Sequence, residues 1–351
     1  MKKLLFSLTI MIFAVAYLTG CKQDPSSSAN NLMPMTQPPP SAAHPAIAYH
    51  GIVNVTSGHT ITSYDAISVM DTDGTHQTNL VTASSNNNSQ FLRDPSWNYS
   101  GTSMTYRDYT SGNYPSYIKA VDVTVNSSGV PVGSNQRTIY SLALSDSAWI
   151  KSGPVWSATS ATGKIAFTRQ HIGSQNGLAE LCTISQSGGT VTVLASYKHF
   201  NTQGAVMSQY VNPTWSPDDS KIAVFRMDTI GKTSIMIFDA STGAALDSIP
   251  LATGIVRALE WSRTGANLLV FEQAATSSSP VYIYYTAPTT GSTPTTNSVV
   301  GQFATWSPNN SSLIYVNVAS SNALTKVTAQ TSSTTQLTTA GPTGTAINWK
   351  R

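Results

Sequence analysis

Three arginines carry the most regular chemistry in the chain. Arg107, Arg169 and Arg226 close the apolar runs MTYR, AFTR and VFR, each of which follows a Trp and a turn. A guanidinium keeps its charge at any physiological pH and offers a planar fork of donors. Three at one level would form a positive arc able to hold a carboxylate or phosphate. The plainer role is local, as ion pairs or as stems lying on apolar surface with the head in water. Glu272 and Asn317 take the same place in the next two stretches.

Other reactive side chains form no site by their spacing. Cys182, in the strand-like LCTI, reads as a buried core thiol. His44, His50, His59, His76, His171 and His199 show no paired spacing for a metal, and no HExxH, CxxC, P-loop or GxSxG pattern occurs. Asp71-Thr72-Asp73-Gly74 begins like a calcium loop but lacks the remainder, and it falls where a hairpin turn is needed. Neither a metal nor a cofactor is therefore expected. Tyr99, Tyr106, Tyr109, Tyr114 and Tyr117 cluster in one stretch. They read as an amphipathic strand pattern, or as a rim that stacks on a sugar or grips a protein.

The elements that must position these residues recur. Trp97, Trp156, Trp215, Trp261, Trp306 and Trp349 follow one another at intervals of roughly 45–60 residues. In the copy Asn212–Met227, NPTWSPDDSKIAVFRM, Thr214 and Trp215 end a strand and Ser216-Pro217-Asp218-Asp219 is turn chemistry. Ile222–Phe225 then runs apolar without alternation, as a strand covered on both faces does. Such a hairpin cannot stand alone and needs like neighbours stacked against it. Repeats of about 40–50 residues rich in β-branched and aromatic residues point to four-stranded propeller blades. SIMIFDASTG (Ser234–Gly243) and AISVMDTDG (Ala66–Gly74) supply the second strand pair. The first two full units are longer than the rest, with extra length in Val125–Trp149 and Ser196–Tyr210 that is expected to emerge as loops.

At these residues the chain resembles the TolB-type propeller family, whose blades carry a Trp-Ser-Pro-Asp turn and a later apolar run ending in Asp and Gly. Trp215 and Trp306 carry the fullest copies, whereas those at Trp97 and Trp156 lack the Pro and the turn Asp. Ile47-Ala48-Tyr49 looks like a strand that has lost its Trp partner, and Ile347-Asn348-Trp349 like a Trp strand with nothing after it. Together they make one blade. The expectation is an all-β, six-bladed β-propeller of TolB type over residues 46–351, its ring closed by the N- and C-terminal strands.

Residues 1–20 read as a signal peptide, with Lys2 and Lys3 ahead of an apolar run too short to span a bilayer comfortably. Leu18-Thr19-Gly20-Cys21 is similar to the lipobox of bacterial lipoproteins. That similarity implies cleavage before Cys21, a diacylglycerol on its thiol and an acylated amino group. Several acyl chains, at ~0.8 kcal/mol per buried methylene, anchor durably. Lys22 in place of Asp implies the outer membrane, and residues 21–45, rich in Pro, Ser and Asn, read as a flexible tether.

Charged residues make up only 10% of the chain and the net charge is +3, so no footprint for nucleic acid is present. Resemblance to TolB-type propellers implies a protein partner in the envelope. A glycan- or small-anion-binding module using the long blades and the arginines is the second reading. An enzyme with a site at the propeller axis is the third, with no separate hydrolase domain expected beside the repeats.

Overall fold

The computed structural model describes residues 46–350 apart from 87–88, 113–114, 147, 160–161, 172–177, 199–208, 228–232, 252–254, 274–280, 287–294, 318–319, 321, 329–333 and 339–346. The leader, Cys21 and the tether lie outside the described residues, as do His44, Tyr114 and His199.

The described residues form six four-stranded antiparallel sheets. The first holds β1 (Ile47–Ser57), β2 (Thr60–Met70) and β3 (Thr78–Thr82). The second runs through β4 (Gln90–Trp97), β5 (Ser103–Thr110), β6 (Ser116–Val125) and β7 (Pro131–Leu142). The third holds β8 (Ala148–Trp156), β9 (Lys164–His171), β10 (Leu178–Ser185) and β11 (Thr192–Lys198). In the fourth are β12 (Gln209–Trp215), β13 (Lys221–Met227), β14 (Thr233–Asp239) and β15 (Ala245–Leu251). The fifth takes β16 (Ile255–Trp261), β17 (Leu268–Gln273), β18 (Val281–Thr286) and β19 (Thr295–Val300). The sixth comprises β20 (Gln302–Trp306), β21 (Ser312–Asn317), β22 (Ala323–Thr328) and β23 (Thr334–Gln336). β24 (Ile347–Trp349) returns to the first sheet and lies beside β1, pairing Trp349 with Ile47 and Ile347 with Tyr49.

Apolar clusters fill the spaces between successive sheets. Ile165 and Phe167 of β9 join Ile118, Ile139 and Trp156 between the second and third sheets. Ala166, on the opposite face of the same strand, joins Leu181, Trp215 and Ile222 between the third and fourth. That double coverage is why these strands read as unbroken apolar runs. Another cluster joins the sixth sheet to the first, through Ile314, Val316 and Leu324 against Ile47, Met70 and Trp349. Cys182 is fully buried in the third sheet, and burial pushes its thiol pKa up to about 12, so it stays protonated and inert.

The Trp turns also bind one another. Asp219, four residues after Trp215 and at φ 58°, accepts hydrogen bonds from the backbone N–H groups of Ala158 and Thr159 in the preceding turn. Asn310, four after Trp306, does the same for the N–H of Arg263 at 2.9 Å. The positive φ suits Asp or Asn, and Gly101 and Gly265 stand there in other copies.

The extra length expected as a loop in Val125–Trp149 is mostly strand. It lengthens β7, whose hairpin with β6 pairs through to Val125 and Pro131. The second long stretch falls largely on residues outside those described. Asp71–Gly74 is a tight turn, closed by Gly74 N donating to Asp71 O at 3.0 Å. Among the described residues no His, Cys, Asp or Glu group could hold a metal ion.

Candidate axial binding site

Residues just before each Trp lie together in the fold. A cavity of ≈ 110 Å³ is lined by Asp94-Pro95-Ser96, Gly153-Pro154-Val155, Asn212-Pro213-Thr214, Leu259-Glu260, Phe303-Ala304 and Ile347-Asn348. These belong to β4, β8, β12, β16, β20 and β24, one strand from each sheet. The local sequence bends each strand there. Pairing with the second strand slips between Arg93 and Ser96, Ser152 and Val155, Val211 and Thr214, Val256 and Ala258, and Gln302 and Ala304. Asp94, Gly153, Asn212 and Phe303 take positive φ at the slip, between 45° and 83°. Bulges of this kind re-aim backbone and side chains, and Pro is tolerated on such an unpaired flank because it has no N–H to satisfy. At Gly153 the geometry excludes a side chain, since a Cβ would sit 3.0 Å from Ala166 O and from Phe167 Cα.

The residue directly before each Trp links the sheets. Ser96 Oγ accepts from Trp156 N at 3.2 Å, Thr214 Oγ1 from Trp261 N at 3.1 Å and Glu260 Oε2 from Trp306 N at 3.0 Å. Thr305 Oγ1 accepts from Trp349 N at 3.1 Å, and Asn348 Oδ1 from Trp97 N at 3.0 Å. Val155, the sixth member, has no side-chain acceptor; its carbonyl takes the indole N–H of Trp215 at 3.1 Å.

Both carboxylates lining the cavity are held. Asp94 pairs with Arg107 at 3.0 Å, and Glu260 Oε1 with Arg263 at 3.0 Å. Arg263 also donates to the carbonyls of Trp306 and Trp349, tying three sheets together. The lining is thus near-neutral: an apolar ring of Pro95, Pro154, Pro213, Leu259, Ala304 and Ile347, with amides, hydroxyls and neutralised acids beside it.

No protein-family model matches the chain, and no curated protein does. Solved structures do. TolB from Acinetobacter baumannii aligns over 89% of this chain and 68% of its own, at 15% identity and TM-score 0.58. The fold is a TolB-like β-propeller. A nidogen/laminin complex aligns over 87% of this chain and 98% of that one, at 9% identity and TM-score 0.55. A putative TolB from Agrobacterium tumefaciens covers 75% and 84% at 11% identity and TM-score 0.48. At such identities the likeness is one of fold.

In this TolB-like propeller the three arginines do not share one row. Arg169 and Arg226 stand four residues beyond Ile165 and Ile222, the partners of their tryptophans, but Arg107 stands three beyond Met104. One residue along a strand turns the side chain to the other face. Arg107 therefore faces the following sheet, where it donates to Ile150 O and Lys151 O at 3.0 and 2.8 Å. Arg169 and Arg226 face the preceding sheet. The first binds Glu180 and donates to Tyr140 Oη at 2.9 Å, and the second lies over the Tyr197 ring at 5.2 Å. The geometry ties each arginine to a neighbouring sheet and does not bring the three together. Asp108, not an arginine, fills the second sheet's place in the row of Arg169 and Arg226.

The tyrosines divide similarly. Tyr106 is buried and Tyr109 stacks on Phe91 at 5.1 Å, whereas Tyr99 is 52% exposed. Sequence reading also missed a buried cluster beside Asp94. His50 Nε2 lies 3.3 Å from Asp65 Oδ1, and Arg93 binds both Asp65 and His50. Burial, ahead of the Asp65 hydrogen bond that opposes it, holds the His50 pKa below its ordinary value. Burial alone would raise the Asp65 carboxyl, but the His50 hydrogen bond and the Arg93 charge bring it lower. The three residues come from β1, β2 and β4, so no local spacing announces them.

Proposed function

We propose that this chain is a lipid-anchored protein of the bacterial envelope, at the outer membrane, whose six sheets are the blades of one closed propeller serving as a binding module for a protein partner. Closure is supported by the β1–β24 pairing, by the cluster joining the sixth sheet to the first, and by the Trp N–H bonds that run through Thr305 and Asn348. The anchor rests on the Leu18–Cys21 sequence.

The observation that carries the binding reading is the state of the axial acids. Asp94 and Glu260 are each bound to an arginine, and Glu260 also accepts the Trp306 N–H. Carboxylates spent in this way hold a rim in place; general acid–base work needs a group free to exchange a proton with substrate. That the nidogen/laminin neighbour is a protein complex supports a protein partner as well.

Two experiments test the proposal. In cells fed a labelled fatty acid, wild-type protein should carry label and Cys21→Ser should carry none; label in the variant sinks the anchor. For the axial site, Phe303→Asn removes an aromatic wall and keeps a residue that accepts positive φ. An envelope protein retained by immobilised residues 21–351 should be lost from this variant. Equal retention moves the binding surface away from the axis, and no reproducible partner removes the reading.

A further inference from the structure

The Trp turns meet pairwise, and two of the meetings make grooves. Between the fourth and fifth sheets the groove is self-contained. Pro217, two residues after Trp215, lies against Gly265, and the Trp261 indole N–H is spent on Gly265 O at 3.0 Å. Asp218 and Lys221 give that groove its charges.

The groove between the second and third sheets departs from that one in two ways. Tyr99 stands two residues after Trp97, in the place of Pro217, and is 52% exposed. No charged residue among those described lines the cavity of ≈ 220 Å³. The Trp156 indole N–H is buried and, like that of Trp97, has no hydrogen-bond partner among the described residues. Several lining groups are already occupied. Asn98 Oδ1 accepts from Thr102 N and Ser103 N, and Thr159 Oγ1 donates to Asp219. The exposed amide of Gln186 sits opposite, beside Gly163, where a Cβ would come within 3.1 Å of it.

These groups describe their ligand. An uncharged lining offers no counter-ion, so an ionic ligand would be desolvated without compensation. An exposed aromatic face attracts the positively polarised C–H groups of a flat saturated ring. A primary amide supplies both donor and acceptor for a ring hydroxyl. We propose that this groove binds the pyranose ring of a neutral sugar, with Tyr99 as the stacking platform and Gln186 bonding its hydroxyls. Its lining shares no residue with the axial cavity.

Calorimetry and saturation-transfer NMR with glucose, galactose, mannose, N-acetylglucosamine and their β-1,4-linked disaccharides test this, with glucuronate as the charged control. At least one neutral sugar should bind saturably. Tyr99→Ala, Gln186→Ala and Tyr99→Pro, which restores the repeat's own residue, should each weaken binding at least about tenfold with an unchanged thermal midpoint. A disaccharide binding about tenfold tighter than its monosaccharide identifies a glycan chain as the source, and equal affinities identify a free sugar. The assignment is overturned if no neutral sugar saturates, if glucuronate binds equally well, or if Tyr99→Ala and Gln186→Ala bind as wild type does.

Discussion

Val155 is the odd member of the six residues that precede the tryptophans. Ser96, Thr214, Glu260, Thr305 and Asn348 each accept a Trp N–H from the next sheet, and a valine side chain cannot. Val155→Thr supplies the missing oxygen at nearly equal volume and should raise stability by about 0.5–1.5 kcal/mol in urea unfolding. Thr214→Val removes an existing acceptor beside a buried N–H and should cost about 1–3 kcal/mol. His50 gives a prediction with a pH sign. Its folded pKa is depressed, so its contribution is complete above the unfolded value of about 6.5 and is lost as pH falls below it, when only the unfolded chain takes up the proton. Thermal midpoints of wild type minus those of His50→Gln, followed from pH 7.5 to 5, should therefore fall with acidification; a constant difference contradicts it. Neither feature was visible in the sequence. A residue before a Trp reveals its role only when the next sheet is in place, and His50, Asp65 and Arg93 belong to three strands.

At the scale of the element, the Trp turn was the legible unit. Its Ser, Pro, Asp and Asn residues announce a turn, and the unbroken apolar run after it announces a strand covered on both faces. What the turn chemistry conceals is which acid reaches outward. Asp218 binds within its own turn, to Ser216 and Ser220, while Asp219 bridges to Ala158 and Thr159 of the preceding sheet. Asp219→Ala leaves two backbone N–H groups without their acceptor and should destabilise by about 1–3 kcal/mol, whereas Asp218→Ala should cost well under half of that. Comparable losses in chemical denaturation would contradict the bridging role. Register was the other hidden quantity. Arg107 aligns with Arg169 and Arg226 by eye, but the pairing of β4 with β5 places it one residue short and turns it to the opposite face.

For the whole molecule, the repeat spacing made the propeller legible, because intervals of 43–59 residues between tryptophans fit few other architectures. The cavity before the tryptophans was not, since it exists only where six distant strands converge. The weakest seam is the three-residue strand β24. Deleting residues 345–351 removes Trp349, worth about 3–5 kcal/mol as a large buried side chain, against a total stability of roughly 5–15 kcal/mol. The thermal midpoint should fall sharply, while deleting residues 22–41 should leave it in place; equal midpoints would argue against the seam. The same seam orders events in time. On the proposed export route a chain threaded from its N-terminus would deliver β1 before β24, so the first sheet would wait, flank bare, until β24 had crossed. On that route the first sheet begun would be completed only by β24, and the open flank of β1 would be the surface an export chaperone has to shield.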